Sequence, residues 1–163
     1  LEQVRDAILD AALPDVPFDG WSEGLLRRAA QEAQVDDGLA RMAFPRGAVD
    51  LALEAHRRDD RRLEQAMLSS DFKELRIRDK ITRAVRMRLE LAGENEEAVR
   101  RAAGLFALPL YAPDGARLTW GTADIIWRGI GDVSTDYNWY TKRLTLSGVY
   151  SATLLHWLLC RKA

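Results

Sequence analysis

Apolar residues recur along this chain at intervals of three and four, which is the spacing of one face of an α-helix. Alternation with a period of two, the mark of a half-buried strand, is almost absent. We therefore predict an all-α chain. Proline, glycine and capping residues divide it into eight helices. The predicted ranges are residue 1 to the prolines at 14 and 17, then 22–33, 36–44, 45–67, 71–92, 94–108, 118–130 and 136–159.

Local signals set several of these boundaries. Pro14 and Pro17 are predicted to end the first helix, and Ser22 is predicted to cap the second. Pro45 suits the first position of the fourth helix, where its missing N–H is not needed. A loop with a turn at 112–115, Ala-Pro-Asp-Gly, is predicted before the seventh helix.

The first three predicted helices, with a four-residue joint, resemble the helix-turn-helix module of TetR-type repressors. In that family the third helix enters the major groove of DNA. Here its first turn carries Asp36 and Asp37, whose carboxylates repel a phosphate backbone. We therefore expect no nucleic-acid partner. The chain is predicted to be a single TetR-like domain over 1–163, with a helix-turn-helix-like part at 1–46 and a helical bundle at 47–163.

Charge and composition narrow the function classes. The 163 residues include 24 Lys and Arg against 25 Asp and Glu, so the net charge is −1. This balance gives no global attraction for nucleic acid or anionic lipid. The single Cys160 excludes an intrachain disulfide and a cysteine metal cluster. No apolar run of about 18 residues occurs, so we expect no transmembrane helix.

The most specific segment is 131–143. Small and capping residues come first, and they predict a helix start near Asp136. The first turn of that helix then carries Tyr137, Trp139 and Tyr140, followed by a basic pair. Successive side chains are about 100° apart around a helix, so three rings on one turn cannot share one core. At least one ring needs another partner.

The last predicted helix carries two apolar stripes about 100° apart, an arc wider than its own core requires. Four of the five tryptophans lie between residues 120 and 157, mixed with Gly, Ala and Ser. Rings facing small residues leave grooves that suit a long, thin apolar molecule, although each ring taken alone could simply fill the core. We predict that a lipid contacts six residues: Trp120, Ile130, Leu144, Ser147, Tyr150 and Leu154.

A family resemblance rests on the same segment. Gly131-Asp132 and the run from Ser134 to Arg143, with Tyr150 and Trp157 beyond, are similar to the signature of the coenzyme Q nine family of ubiquinone-biosynthesis accessory proteins. The resemblance implies a TetR-like helical fold without DNA binding. It also implies a peripheral membrane protein that binds isoprenoid quinone intermediates and hands them to the di-iron demethoxyubiquinone hydroxylase.

The resemblance also implies where the hydroxylase docks, which is on the last two helices. Carried over by motif, the docking residues are Asp124, Ile126, Trp127, Asp136, Trp139, Tyr140 and Arg143. This chain departs from the family at Lys142, where Arg is usual. The family also continues into an amphipathic membrane-binding helix, whereas this sequence ends at Ala163.

The sequence offers little chemistry of its own. His56 and His156 are too far apart to suggest a local metal pair. Asp124, Asp132 and Asp136 favour capping and interface roles over a cation site, because such a site needs six or more oxygen ligands. The arginine-rich run at 57–62 is interrupted by Asp residues, which favours a solvated helix face over a membrane-binding patch. We predict no catalytic site, no metal site and no cofactor apart from a bound lipid.

These observations predict a non-enzymatic, lipid-binding accessory protein of ubiquinone biosynthesis. Its ligand would be an isoprenoid quinone or a phospholipid, and its protein partners the hydroxylase and a second copy of the chain. The alternatives are a TetR-family ligand-responsive transcription regulator and a plain homodimer joined through the aromatic stripe. The expected location is the bacterial cytoplasm, peripheral to the inner membrane, or alternatively the matrix side of the mitochondrial inner membrane.

Overall fold

The computed structural model describes residues 1–132 and 137–160, apart from the side chain of Ser70. These residues form α-helices joined by short turns and contain no strand, which confirms the all-α prediction. The helices are α1 (Glu2–Ala12), α2 (Val16–Asp19), α3 (Glu23–Glu32), α4 (Asp37–Ala43), α5 (Ala48–Ala66), α6 (Ser70–Lys73), α7 (Ile77–Gly93), α8 (Glu96–Phe106), α9 (Ala112–Ile130) and α10 (Tyr137–Cys160).

Side-chain capping starts two of the helices, at Ser22 as predicted and also at Asp36. The Ser22 hydroxyl accepts a hydrogen bond from the backbone N–H of Leu25 at 3.2 Å, and α3 follows. The Asp36 carboxylate accepts one from the N–H of Leu39 at 2.9 Å, and α4 follows. Each cap satisfies a helix N–H that has no partner within the helix. The predicted start of the last helix at Asp136 lies outside the described residues.

The first helix ends at Ala12, just before Pro14, as predicted, but three prolines lie inside helical turns. Pro14 lies in a 3₁₀ turn at Leu13–Asp15, and Pro17 lies in the first turn of α2, so the chain stays helical as far as Asp19. Pro113 lies in the first turn of α9, so the predicted turn at 112–115 is wrong. First-turn N–H groups have no partner within the helix, and proline loses nothing by lacking one there.

Two other boundaries were also wrong. The fourth predicted helix begins at Ala48 and not at Pro45, because Gly47 turns the chain at a φ of 74°. The Glu23 carboxylate then accepts a hydrogen bond from the N–H of Ala48 at 3.0 Å. The predicted helix over 71–92 is split into α6 and α7 by the residues at 74–76.

Helix α5 connects the hydrophobic clusters of the molecule. Its Leu51 belongs to a cluster formed mainly by α1, α3 and α4, which is the predicted helix-turn-helix part. Leu63 packs with Phe72, Ile126 and Leu146 in a second cluster that includes α9 and α10. Because α5 reaches both, it sets α9 and α10 relative to the N-terminal helices. Among the described residues, no helix has the length and apolar character needed to cross a membrane.

Candidate functional site

One buried arginine joins α10 to α9. Arg143 is 1% exposed, and its Nε atom lies 2.7 Å from Oδ1 of Asp124 on α9. Its Nη1 atom lies 3.1 Å from Oδ2 of Asp132, just after α9, and donates to the backbone oxygen of Trp139 at 3.2 Å. A buried guanidinium requires such partners, so this network fixes how α10 lies against α9.

Aromatic rings cover this arginine. The guanidinium carbon of Arg143 lies 4.3 Å from the ring centroid of Trp139, a cation–π distance. The Trp139 ring lies 4.9 Å from Tyr140 in an edge-on arrangement and 5.7 Å from Trp120 on α9. We call Trp120, Trp139 and Tyr140 the aromatic surface. The ion pairs beneath it hold its rings in a fixed arrangement.

The outer part of this region is open to solvent. Tyr137 is 81% exposed, Tyr140 63% and Leu144 67%, whereas Trp139 is half-buried. The prediction that the three rings of the first turn do not share one core is therefore confirmed. Farther along α10, Val149, Leu155 and Leu159 are also exposed. The exposed residues of α10 include no Lys, Arg, Asp or Glu.

A cavity of about 300 Å³ lies between α5, α7, α8, α9 and α10. Seven of its lining residues are alanines, and these small side chains leave the space that larger ones would fill. Ala107 and Leu155 line the cavity and are also exposed, so it opens between the end of α8 and α10. The lining is predominantly apolar, as in most small-molecule sites.

One wall of the cavity is polar. Arg88 is 2% exposed, and its Nε atom donates to Oδ1 of Asp60 at 2.8 Å, while its Nη1 atom lies 3.6 Å from Oδ2 of Asp59. Its Nη2 atom donates to the backbone oxygen of His56 at 3.2 Å. Tyr150, 1% exposed, completes the wall from α10.

Burial sets the protonation of this wall. It lowers the pKa of His56 to about 4, against the opposing effect of Asp60, so the imidazole is neutral at pH 7. Nε2 of His56 lies 2.9 Å from the hydroxyl of Thr122, which also hydrogen-bonds the Asp60 carboxylate. Burial raises the pKa of Tyr150 to about 12, so its phenol remains protonated. Burial also raises the pKa of Asp59.

Comparison with known proteins shows which proteins this chain is similar to. A family model described as COQ9 matches residues 112–162, which contain α9 and α10. The rat protein "Ubiquinone biosynthesis protein COQ9, mitochondrial" is 34% identical over 161 residues, which cover 94% of this chain and 51% of the rat protein. This chain is therefore similar to COQ9 proteins over nearly its whole length. The human COQ9 protein is 33% identical over 94% of this chain and 50% of its own length.

A third COQ9 relative, from Drosophila melanogaster, is 30% identical over 97% of this chain and 49% of its own length. The chain therefore spans about half the length of the curated COQ9 relatives it matches. The COQ9 family model covers the Arg143 network, the rings of the aromatic surface and Tyr150. The part of the chain that matches the model thus contains the features described above.

The docking residues carried over from the COQ9 resemblance occupy different environments. Tyr140 is exposed, and Asp124, Trp127 and Trp139 are half-buried at the same end of α9 and α10. Ile126 is fully buried in the core, so it cannot contact a partner directly. Arg143 is equally buried and holds Asp124 and Asp132. Asp136 itself lies outside the described residues.

The six predicted lipid-contacting residues are not brought together. Tyr150 and Leu154 line the cavity, whereas Trp120, Ile130, Leu144 and Ser147 do not. Trp120 packs in the aromatic surface, Leu144 points to solvent, and the Ser147 hydroxyl bonds that of Thr119 at 3.0 Å. The helical wheel of the last helix placed Leu144, Ser147, Tyr150 and Leu154 in one wide arc but could not show which part of that arc other helices cover.

Most of the cavity was missed from the sequence, although a signal existed. The residues that α8 and its two capping positions contribute lie at intervals of three and four on one helix face: Asn95, Ala98, Val99, Ala102, Ala103, Phe106 and Ala107. The predicted solvated face at 57–62 is confirmed only in part, since Arg57 and Arg62 are exposed. Asp60 is buried against Arg88, and the Arg58 guanidinium lies 2.6 Å from Asp10 on α1.

Proposed function

We propose that this chain is a non-catalytic lipid-binding accessory protein of ubiquinone biosynthesis. It holds an isoprenoid quinone intermediate and presents it to the di-iron demethoxyubiquinone hydroxylase. The names of the matched relatives supply the pathway. The observation that carries the proposal is the apolar cavity of about 300 Å³ with one polar wall, which opens beside the uncharged face of α10.

The cavity suits one end of an isoprenoid molecule and not its whole length. A volume of about 300 Å³ lies at the lower limit of small-molecule sites, so a long polyprenyl tail must extend through the mouth. At the mouth the tail meets Leu155, and Leu159 lies one turn farther along α10, 71% exposed. Apolar surface there is what a tail leaving the cavity requires.

The aromatic surface is the proposed docking site for the hydroxylase. Aromatic side chains that lose their water when an interface forms dominate the binding energy of protein interfaces. Within the aromatic surface, Tyr140 is the exposed ring. The residues from 140 to 155 span about 22 Å along α10 at 1.5 Å per residue. The uncharged face of α10 thus connects the cavity mouth to the docking site.

Sequence-specific DNA binding is not part of the proposed function. In α4, the capping carboxylate of Asp36 is exposed and so is that of Asp37. These carboxylates occupy the end that a recognition helix would turn towards phosphate, and they oppose binding there. We expect no salt-sensitive shift of any DNA sequence in a gel-shift screen; such a shift would favour the transcription-regulator alternative.

Peripheral membrane contact and a homodimer remain part of the proposal. The uncharged exposed face of α10 supplies an apolar surface for either contact. The matched relatives are mitochondrial by name, and this favours the matrix side of the mitochondrial inner membrane over the bacterial cytoplasm for this chain.

The test uses two neighbouring substitutions on α10. Ser151→Phe places a ring in the cavity, whereas Ala152→Phe places the same ring on the exposed face of the helix. Purified protein is extracted with organic solvent and the lipids are identified by mass spectrometry. We expect isoprenoid lipid from the wild type and Ala152→Phe, and a severalfold loss from Ser151→Phe at unchanged helicity. Equal lipid content in all three proteins would contradict the proposal.

A further inference from the structure

The charged groups on the cavity wall are compensated within the protein. Arg88 lies 2.8 Å from Asp60 and 3.6 Å from Asp59. The other cation among the described lining residues, Arg58, lies 2.6 Å from Asp10. His56 is neutral at pH 7 because its pKa is lowered to about 4. The wall therefore carries polar groups without an uncompensated positive charge.

Tyr150 is a polar group on this wall that is able to bind a ligand. Its side chain is 1% exposed to bulk solvent and lines the cavity. Among the described residues, no hydrogen bond involves its hydroxyl, and a pKa of about 12 keeps that hydroxyl protonated. A protonated phenol can donate one hydrogen bond and accept others. It suits an uncharged oxygen of a ligand.

An anionic head group would be unfavourable at the same position. Moving a carboxylate or phosphate out of water is strongly unfavourable unless a cation pairs with it. Arg88 already faces two carboxylates, and Asp59 on the same wall would repel a further anion. Asp59 is itself deeply enough buried for its pKa to be raised, so the wall already disfavours negative charge.

We propose that this wall selects ligands by charge, so that the Tyr150 hydroxyl hydrogen-bonds an uncharged phenol or quinone oxygen while ring carboxylates and phosphates are rejected. The inference rests on the proposed function, in which the cavity holds the lipid. It adds the chemical class of the head group and the residue that recognises it.

Three synthetic probes with one tail test the selection. They are a farnesyl-substituted phenol, the same phenol with an additional ring carboxylate, and farnesylbenzene, which has no oxygen. Affinities are measured by fluorescence titration or calorimetry in detergent below its critical micelle concentration. For the wild type we expect the phenol to bind about three- to tenfold more tightly than farnesylbenzene, the range of one neutral hydrogen bond. We expect the carboxylate probe to bind at least tenfold more weakly than the phenol.

Two variants test separately the contribution of the Tyr150 hydroxyl and that of the charged groups facing Arg88. Tyr150→Phe keeps the ring and is expected to reduce phenol affinity to that of farnesylbenzene, without changing the affinity for farnesylbenzene. Asp59→Asn removes one carboxylate facing Arg88 and is expected to narrow the preference for the phenol over the carboxylate probe by about tenfold. Glu64→Gln, an exposed carboxylate on the same helix as Asp59, is the control and should change neither ratio.

The outcomes distinguish the two proposals. If no probe binds, or if Ser151→Phe binds all three as the wild type does, the cavity is not the lipid site and both proposals fail. If the probes bind in the cavity but the carboxylate probe equals the phenol, or Tyr150→Phe leaves phenol affinity unchanged, only the charge selection fails. Unchanged helicity of each variant by circular dichroism confirms that the folded protein is compared.

Discussion

The Nε atom of Arg143 lies 2.7 Å from the carboxylate of Asp124, although the arginine side chain is only 1% exposed. This ion pair joins α9 to α10 below the aromatic surface. It therefore supports the rings that we propose as the docking site. Its loss would disturb the rings of the proposed docking site without removing any of them. Stability and partner binding must therefore be tested by different substitutions.

Arg143→Met is expected to destabilise the protein by roughly 3 kcal/mol, because it removes the buried cation that Asp124 and the nearly buried Asp132 share and leaves each with one more exposed partner, Arg128 or Lys142. The free energy of unfolding in urea measures the effect. Arg128→Met is the matched control, since Arg128 also pairs with Asp124, at 3.0 Å, but is 56% exposed. Its loss should change stability by less than about 1 kcal/mol. Equal effects of the two variants would contradict the assigned role of Arg143.

Tyr140→Ala is expected to weaken association with the hydroxylase by about 2 kcal/mol or more, the range of an interface hot spot. Tyr140 is 63% exposed, so its truncation should leave the fold intact. Co-purification and surface plasmon resonance with the hydroxylase measure the effect. Leu68→Ala removes a similarly exposed apolar side chain, 59% exposed, outside the aromatic surface and should bind normally. Normal binding by both variants would exclude the aromatic surface as the docking site.

The titration of His56 is expected to make the protein less stable in mild acid. Its pKa in the folded protein is about 4 against 6.5 as the ordinary value, so the unfolded chain binds the proton more readily. The stability it contributes is fully present above pH 6.5 and is lost as the pH falls towards 4, at up to about 1.4 kcal/mol per pH unit. Asp59 acts in the opposite direction, because its pKa is raised in the folded protein.

Comparison with variants isolates this effect from other carboxyl groups. His56→Gln should flatten the dependence of unfolding free energy on pH between 6.5 and 5 relative to the wild type, as measured by urea titrations at each pH. His156→Gln, at an exposed position on α10, should retain the slope of the wild type. A wild-type slope in His56→Gln would assign the pH dependence to other groups.

Gly47→Ala is expected to destabilise the protein by about 2 kcal/mol. The φ of Gly47 is 74°, and an added Cβ would overlap the Glu23 carboxylate that caps α5. Gly121→Ala, within α9, meets no atom within 4 Å and should instead stabilise by about 0.5 to 1 kcal/mol through helix propensity. Thermal unfolding followed by circular dichroism should therefore show opposite shifts, and shifts of the same sign would contradict the role of Gly47.

The sequence predicted those features that depend on neighbours along the chain. Ser22 and Asp36 cap helices because their side chains reach N–H groups three residues later. Gly131 ends α9 because its φ of 94° suits only a residue without a Cβ. The sequence did not predict that Glu23 caps α5, since that hydrogen bond joins residues 25 positions apart.

The candidate site shows the same division. The ring-rich turn and the basic pair after it were evident in the sequence, and the prediction of surplus aromatic surface depended on them alone. The burial of Arg143, and of Arg88 with Asp60, was not evident, because charged residues in a sequence are expected at the surface. Only contacts between distant helices supply the partners that make their burial tolerable.

The sequence by itself determined the helical class, most helix boundaries and the aromatic end of α10, because each follows from spacing or capping within a few residues. Only the tertiary structure decided where the space for a lipid lies. A cavity is the volume that side chains of several helices fail to fill, and here alanines of α5, α7 and α8 meet Tyr150 and Leu154 of α10. No pattern within one helix specifies which faces will meet.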